Sequence, residues 1–258
     1  MELQGKRIIV TGSARGMGAA TLRAYVQAGA DVVGMDVLDD AGAATAAQAN
    51  ADGPGSARYL HVDVADQQSV HTAFAEAVAQ LGGLDVLAHP AAIQRSSDAG
   101  DVAVEDWDLM FAVNVRGTML TNQTAYHHMK ASGGGSILNF GSISGQRPEP
   151  SAAAYSAAKG AVHSWTRTAA GTWGADNIRV NAILPAMATP MYEEALARPV
   201  DEEKIANYQV QTATIAMGGK YGDPDKDLGP VMVFFASDAS WFITGQMIAV
   251  DGGQTNVR

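Results

Sequence analysis

The stretch Arg7-Ile8-Ile9-Val10-Thr11-Gly12-Ser13-Ala14-Arg15-Gly16-Met17-Gly18 limits the possible folds more than any other part of the chain. An apolar, β-branched run of the kind that suits a strand covered on both faces leads straight into a glycine-rich turn and then into small residues that suit a helix. A strand and a helix joined this tightly form the first half of a parallel crossover unit. The second strand follows as Asp31-Val32-Val33-Gly34-Met35-Asp36 and ends in an acid eighteen residues beyond Gly18. Gly12, Gly16 and Gly18 let the backbone, including that of Arg15 and Met17, approach a pyrophosphate at a helix N-terminus, where free N–H groups and the dipole favour anions. The spacing therefore predicts a dinucleotide site, with Asp36 placed to accept hydrogen bonds from an adenosine ribose.

The same alternation continues along the chain. Strand patterns near 7–11, 31–36, 58–62, 84–88, 136–140, 177–183 and 246–250 are separated by helical stretches, as a doubly wound α/β sheet requires. With 258 residues, 47% of them hydrophobic, and no linker, the expectation is one domain spanning residues 1–258. The alanine-rich tracts at 41–51 and 152–161 read as helices rather than as low-complexity disorder.

The chemistry is concentrated in Ser151-Ala152-Ala153-Ala154-Tyr155-Ser156-Ala157-Ala158-Lys159. On a helix Tyr155 and Lys159 share a face, which brings the ammonium beside the phenol. A phenol with an ordinary pKa near ~10 becomes a base near neutral pH only when nearby positive charge favours the phenolate. Ser142 follows the apolar run Ser136-Ile137-Leu138-Asn139-Phe140, so a strand there delivers its hydroxyl to the carboxyl edge of the sheet.

These landmarks, together with Asp63, Asn114 in Val113-Asn114-Val115, Asn181, Pro185, Thr189 and Val250-Asp251-Gly252-Gly253, resemble in order and spacing the short-chain dehydrogenase/reductase family over nearly the whole chain. The resemblance implies a single-domain Rossmann fold with a seven-stranded parallel sheet in the order 3-2-1-4-5-6-7. It implies Tyr155 as catalytic acid/base, Ser142 as partner of the substrate oxygen, and Lys159 on the nicotinamide ribose while lowering the tyrosine's pKa. Asn114 would hold a water in a proton relay. Asp63 and Val64 would flank the adenine, and Pro185, Ala188 and Thr189 would approach the carboxamide end. The family is commonly tetrameric, which implies a homo-oligomer.

Departures from the family pattern gather around the cofactor. The usual Asn-Asn-Ala-Gly is here His89-Pro90-Ala91-Ala92, Pro-Gly is Pro185-Ala186, and Ser-Ser is Gly141-Ser142. Proline removes a donor and alanine adds a methyl, so these changes read as tailoring of the pocket, with His89 and Ala91 still at cofactor positions. Asp36, followed by Val37, would repel a 2′-phosphate and favours NAD; Arg15 is the residue that argues for NADP.

The formal charge of −10 provides no basic stripe for nucleic acid and opposes an acidic carrier protein as substrate donor. Freely diffusing small molecules remain, expected to be a secondary alcohol or ketone. No cysteine is present, which excludes disulfides and thiolate chemistry. No apolar run approaches the ~18 residues of a membrane span, and the first strand begins about six residues in, so the expected compartment is the cytoplasm. The six histidines show no metal-ligand spacing, and no metal is assigned. A substrate lid is expected at about 187–220, where Met187 and Tyr192 join Gln94, Ser142, Ser144 and Tyr155 as substrate-facing candidates and the apolar content suggests an alicyclic, aromatic or steroid-like ring. Two further readings compete: an NADPH-dependent carbonyl reductase, and an NAD-binding sensor or scaffold without catalysis.

Overall fold

The computed structural model describes residues 2–189 and 212–255. Among them, strands β1 (Arg7–Thr11), β2 (Asp31–Asp36), β3 (Ser56–His61), β4 (Val86–His89), β5 (Gly135–Phe140), β6 (Ile178–Pro185) and β7 (Met247–Val250) form one parallel sheet. Its order is β3-β2-β1-β4-β5-β6-β7, as the resemblance implied. The ends differ from the sequence expectation at the third, fourth and sixth strands, and by one residue at the start of the fifth and of the seventh. β4 begins after Asp85, whose carboxylate takes the Arg7 main-chain N–H and pairs with its guanidinium at 2.6 Å. β6 runs on to Pro185 because β7 supplies a ladder partner for it as far as Val250.

Seven α-helices lie among the described residues: α1 (Gly16–Gln27), α2 (Asp39–Asp52), α3 (Gln67–Leu81), α4 (Val104–Met110), α5 (Gly117–Ser132), α6 (Ala153–Trp173) and α7 (Gly229–Ala236). Local sequence sets several of their ends. The Asp66 side chain caps α3 by accepting from Ser69 N, and Gly82 ends the helix in the left-handed region at φ 74°. Between α4 and α5 the residues Phe111–Arg116 form a π-helical turn, a rare form often found at functional sites.

The helices cover both faces of the sheet. Ile8, Val10, Leu138 and Ile183 pack with Leu22, Tyr25 and Val26 of α1 and Met232 and Phe235 of α7. Ile9, Val33, Leu87, Ile137 and Val180 face the other way, against Phe74 of α3, Leu120 and Met129 of α5 and Trp173 of α6. Neighbouring strand residues such as Ile8 and Ile9 are therefore both fully buried, which is why the strands read as continuous apolar runs. Each such side chain contributes ~1.5–3 kcal/mol through burial. Ala152, Ala154 and Ala158 are buried within this one subunit, whereas Ala157 is exposed. No described helix is long and apolar enough to cross a membrane.

Because every strand is parallel, the ends that carry Thr11, Asp36, His89, Phe140 and Pro185 lie along one edge. The strand order reverses between β1 and β4, and a crevice at such a reversal is where doubly wound sheets bind ligands.

Candidate active site

The glycine-rich turn joins β1 to α1 at that crevice. Gly12 and Gly16 have φ of 62° and 56°, a region that disfavours side chains. Gly12 also has no room for one, since a Cβ would stand 2.7 Å from Ala91 Cα. Gly18 packs on the Gly12 carbonyl just as closely. Arg15 is the N-cap of α1 but caps it with no side-chain hydrogen bond, and no acid lies in the first turn. The free N–H groups there suit a pyrophosphate. The Thr189 side chain comes to 3.8 Å from the Cβ position of Gly16, so the segment after β6 closes over the turn. Ala188 N donates to Gly222 O at 2.9 Å, and Ala186 N to Val250 O at 3.0 Å, which fix that segment to the sheet.

Asp36 is bound from three sides. Its Oδ2 accepts from Ala14 N at 3.0 Å and its Oδ1 from Val37 N and Leu38 N at 2.8 and 3.1 Å. This holds the carboxylate rigidly beside the turn. Asp39 lies nearby, accepting from Tyr59 and pairing with His61, which together hold its carboxyl below the usual range. Asp63 Oδ1 accepts from Ala65 N at 2.9 Å, and Val64 is buried.

His89 replaces the family's asparagine in a fully enclosed position. Its Nδ1 lies 2.7 Å from Thr11 Oγ1 and 3.3 Å from Thr121 Oγ1, while Nε2 has no protein partner. Burial, followed by the charge of Lys159, lowers its pKa to about 3, so the ring is neutral. The Ala92 methyl is exposed rather than packed against the backbone. The substituted segment thus keeps one buried polar atom, His89 Nε2, without a protein partner, and the glycine cradle and edge residues fit a nicotinamide dinucleotide.

The reactive residues come from β5 and α6. Tyr155 and Lys159 share a face of α6, with the ammonium 5.5 Å from the phenol ring centroid. Lys159 is 3% exposed, and its Nζ donates to Phe140 O at 2.7 Å. Burial lowers its pKa to about 8. The expected depression of the tyrosine is not found. Burial raises the Tyr155 phenol to about 12, and a hydrogen bond with Ser142 pulls only partly against it. The reason is geometric: the ammonium is turned to the Phe140 carbonyl instead of the phenol oxygen.

Ser142 Oγ accepts from Ser144 N and donates to Ser144 Oγ, both at 3.1 Å. Asn114 lies in the π-helical turn, and its side chain grips Ile93: Oδ1 accepts from Ile93 N and Nδ2 donates to Ile93 O, each at 2.8 Å. Both ends of the amide are engaged with the strand-four loop, and the Asn114 carbonyl accepts from Thr118 Oγ1 at 2.7 Å. Gln94 and Arg95 are exposed beyond β4, with Arg95 3.8 Å from Asp106. Met187 packs against the α1-side core, bridges to Gly222 and lines the cavity beside the glycine-rich turn. Tyr192 and most of the expected lid lie outside the described residues.

Neither His163 nor the Phe140 carbonyl is among the site residues expected from the sequence. The spacing Tyr155, Lys159, His163 continues one helical face and is the signal that points to the histidine.

A family profile described as enoyl-(acyl carrier protein) reductase matches residues 12–255. The chain belongs to the short-chain dehydrogenase/reductase family. Among its curated relatives, a cis-4-hydroxycyclohexanecarboxylate dehydrogenase of Sinomonas cyclohexanicum is 36% identical over 96% of both chains. A D-threitol dehydrogenase of Mycolicibacterium smegmatis is 33% identical over 98% of this chain and 94% of its own. A solved short-chain type dehydrogenase/reductase from Mycobacterium ulcerans superposes with a TM-score of 0.91 at 29% identity, covering 100% of this chain and 92% of that one. As a short-chain dehydrogenase/reductase, the protein is an alcohol/ketone oxidoreductase that uses a nicotinamide dinucleotide.

Proposed function

We infer that the protein is an NAD(H)-dependent dehydrogenase of secondary alcohols, and the corresponding ketoreductase, acting on an apolar alicyclic, aromatic or steroid-like frame. The observation that carries this reading is the buried Lys159 ammonium 5.5 Å from the Tyr155 ring centroid, with Ser142 close enough to act on the phenol, next to the glycine-rich cradle. A nicotinamide bound at the cradle would supply the hydride acceptor for oxidation of the alcohol carbon and the donor for reduction. Tyr155 takes the proton from the alcohol oxygen, and Ser142 orients that oxygen by hydrogen bonding. Lys159 holds the chain's own positive charge 5.5 Å from the phenol ring centroid, and an oxidised nucleotide would add a second that opposes the burial holding the phenol at about 12.

Asp36 supports NAD over NADP, because its carboxylate is anchored by three N–H donors and cannot swing away from a 2′-phosphate. Asp39 adds charge of the same sign. The ring-shaped substrate is supported by the cyclohexanecarboxylate dehydrogenase among the relatives and by the apolar residues at 187–217. Assembly as a homo-oligomer is supported by the exposed apolar side chains Trp107 and Leu109 of α4 and Trp241 and Phe242 before β7.

The test is oxidation by NAD⁺ and by NADP⁺ of cyclohexanol, cis-4-hydroxycyclohexanecarboxylate, a hydroxysteroid and D-threitol. Turnover of a ring alcohol with NAD⁺ is expected. Activity confined to D-threitol refutes the substrate class, a preference for NADP⁺ refutes the role of Asp36, and no turnover at all favours the non-catalytic reading.

A further inference from the structure

Tyr155, Lys159 and His163 recur every four residues along α6 and so line one face. The chemistry above uses the first two. His163 is 2% exposed, with its ring set under the turn that begins at Ser142. Its Nε2 accepts from the Ser142 main-chain N–H at 3.3 Å. The backbone of Gly145 lies against the same ring, and that contact favours the protonated form. The imidazole therefore bonds the start of the segment Ser142–Gly145 to the helix that carries Tyr155 and packs against its end.

The surrounding glycines are cut to this ring. A Cβ on Gly141 would collide with Nε2 and stand 2.8 Å from Cδ2. A Cβ on Gly145 would stand 2.8 Å from Cε1, and equally close to the main chain of Lys159. Neither glycine has a positive φ, so space, not backbone conformation, is what excludes a side chain at both positions. The departure Gly141-Ser142 is thereby explained: the histidine fills the place that a residue-141 side chain would take. The ring is also kept neutral, since burial and then the charges of Lys159 and Arg167 lower its pKa to about 4.

We propose that His163 is the positioning residue for Ser142, its imidazole locking the Ser142 amide to α6 and packing against the Gly145 backbone so that hydroxyl and phenol keep one separation across the substrate oxygen. This rests on the reading that Ser142 and Tyr155 hold that oxygen. A displacement near ~1 Å at a reacting group can lower turnover by about 100-fold. The test is a double-mutant cycle on the ring alcohol oxidised in the panel, joined to amide hydrogen exchange of the NADH complex. His163→Ala should lower kcat by about 100-fold and leave the NADH Kd within about twofold. In a Ser142→Ala background the same change should cost less than about twofold, because the residue it positions is gone. His163→Gln, which can still offer an acceptor to the amide, should recover most of the activity. Gly141→Ala, which pushes the ring away, should reproduce the loss if His163→Ala does not fold.

Equal losses in both backgrounds overturn the proposal, as does full activity of His163→Ala. The exchange measurement needs no turnover. The Ser142 amide should be protected in the wild type and in His163→Gln and exposed in Gly141→Ala; an amide that exchanges freely in the wild type also overturns the proposal. A panel without turnover, together with a protected Ser142 amide, defeats the functional reading and leaves His163 as the holder of that segment.

Discussion

Replacing Lys159 by methionine should make the protein more stable while removing its activity. The lysine is buried, with one hydrogen bond to the Phe140 carbonyl, and its pKa falls from the ordinary 10.5 to about 8. At ~1.36 kcal/mol per pKa unit, keeping the ammonium charged inside the fold costs about 3 kcal/mol below pH 8. At 3% exposure, solvent screening calls for no discount. Methionine removes that cost and fills similar volume, but it leaves the Phe140 carbonyl without this donor, which costs ~1–2 kcal/mol. The net gain at pH 7 is about 1–2 kcal/mol, or roughly 2–6 °C in Tm for a chain of this size.

The sign of the pH dependence separates this account from simple packing. Between about 8 and 10.5 the unfolded lysine holds a proton that the folded one has released, so wild-type stability rises with pH through this window. The variant lacks that rise, so its advantage should vanish between about pH 9 and 10 and become a deficit of ~1–2 kcal/mol by pH 10.5, the value of the lost Phe140 hydrogen bond. Urea denaturation of the nucleotide-free protein at pH 7, 8, 9 and 10.5 measures it. A variant less stable than wild type at pH 7, or a difference that does not change with pH, refutes the reasoning.

Three other outcomes follow from the same geometry. Tyr155→Phe should lower turnover by more than about 10²-fold, the loss of a general acid/base, with NADH binding unchanged by fluorescence titration; wild-type oxidation should rise with pH through a single ionisation that this variant lacks. Asp36→Ala should reduce the preference for NADH over NADPH by at least about tenfold, the value of one removed charge contact at ~1.4 kcal/mol, in parallel titrations. His89 and His163 are buried and neutral, with pKa values of about 3 and about 4. Each binds a proton more readily when unfolded, so stability should fall as pH drops from ~6.5 towards these values, by ~1.4 kcal/mol per pH unit for each ring. His163→Gln should halve that slope in thermal melts between pH 6.5 and 5.

The sheet was legible because each strand is covered on both faces, so Ile8-Ile9-Val10 and its counterparts carry an unmistakable apolar run into glycine or polar punctuation. The glycine-rich turn was legible for a related reason: close backbone approach and positive φ leave few alternatives to Gly12 and Gly16. Strand ends were less so. Where β6 stops depends on the length of its neighbour β7, which no local pattern records.

The sequence alone determined a doubly wound parallel sheet, a dinucleotide cradle, and a helix that presents Tyr155 and Lys159 on one face, since periodicity and glycine content are properties of the chain's own covalent order. Tertiary structure decided the electrostatics. Whether Lys159 lowers the tyrosine pKa depends on where its ammonium turns, and packing directs it to Phe140 while burial raises Tyr155. Structure likewise gave Asn114 the task of gripping Ile93 and His163 a place beneath Ser142. Desolvation and hydrogen-bond competition act between residues distant in sequence, so they arise only once the sheet has brought β5 and α6 together.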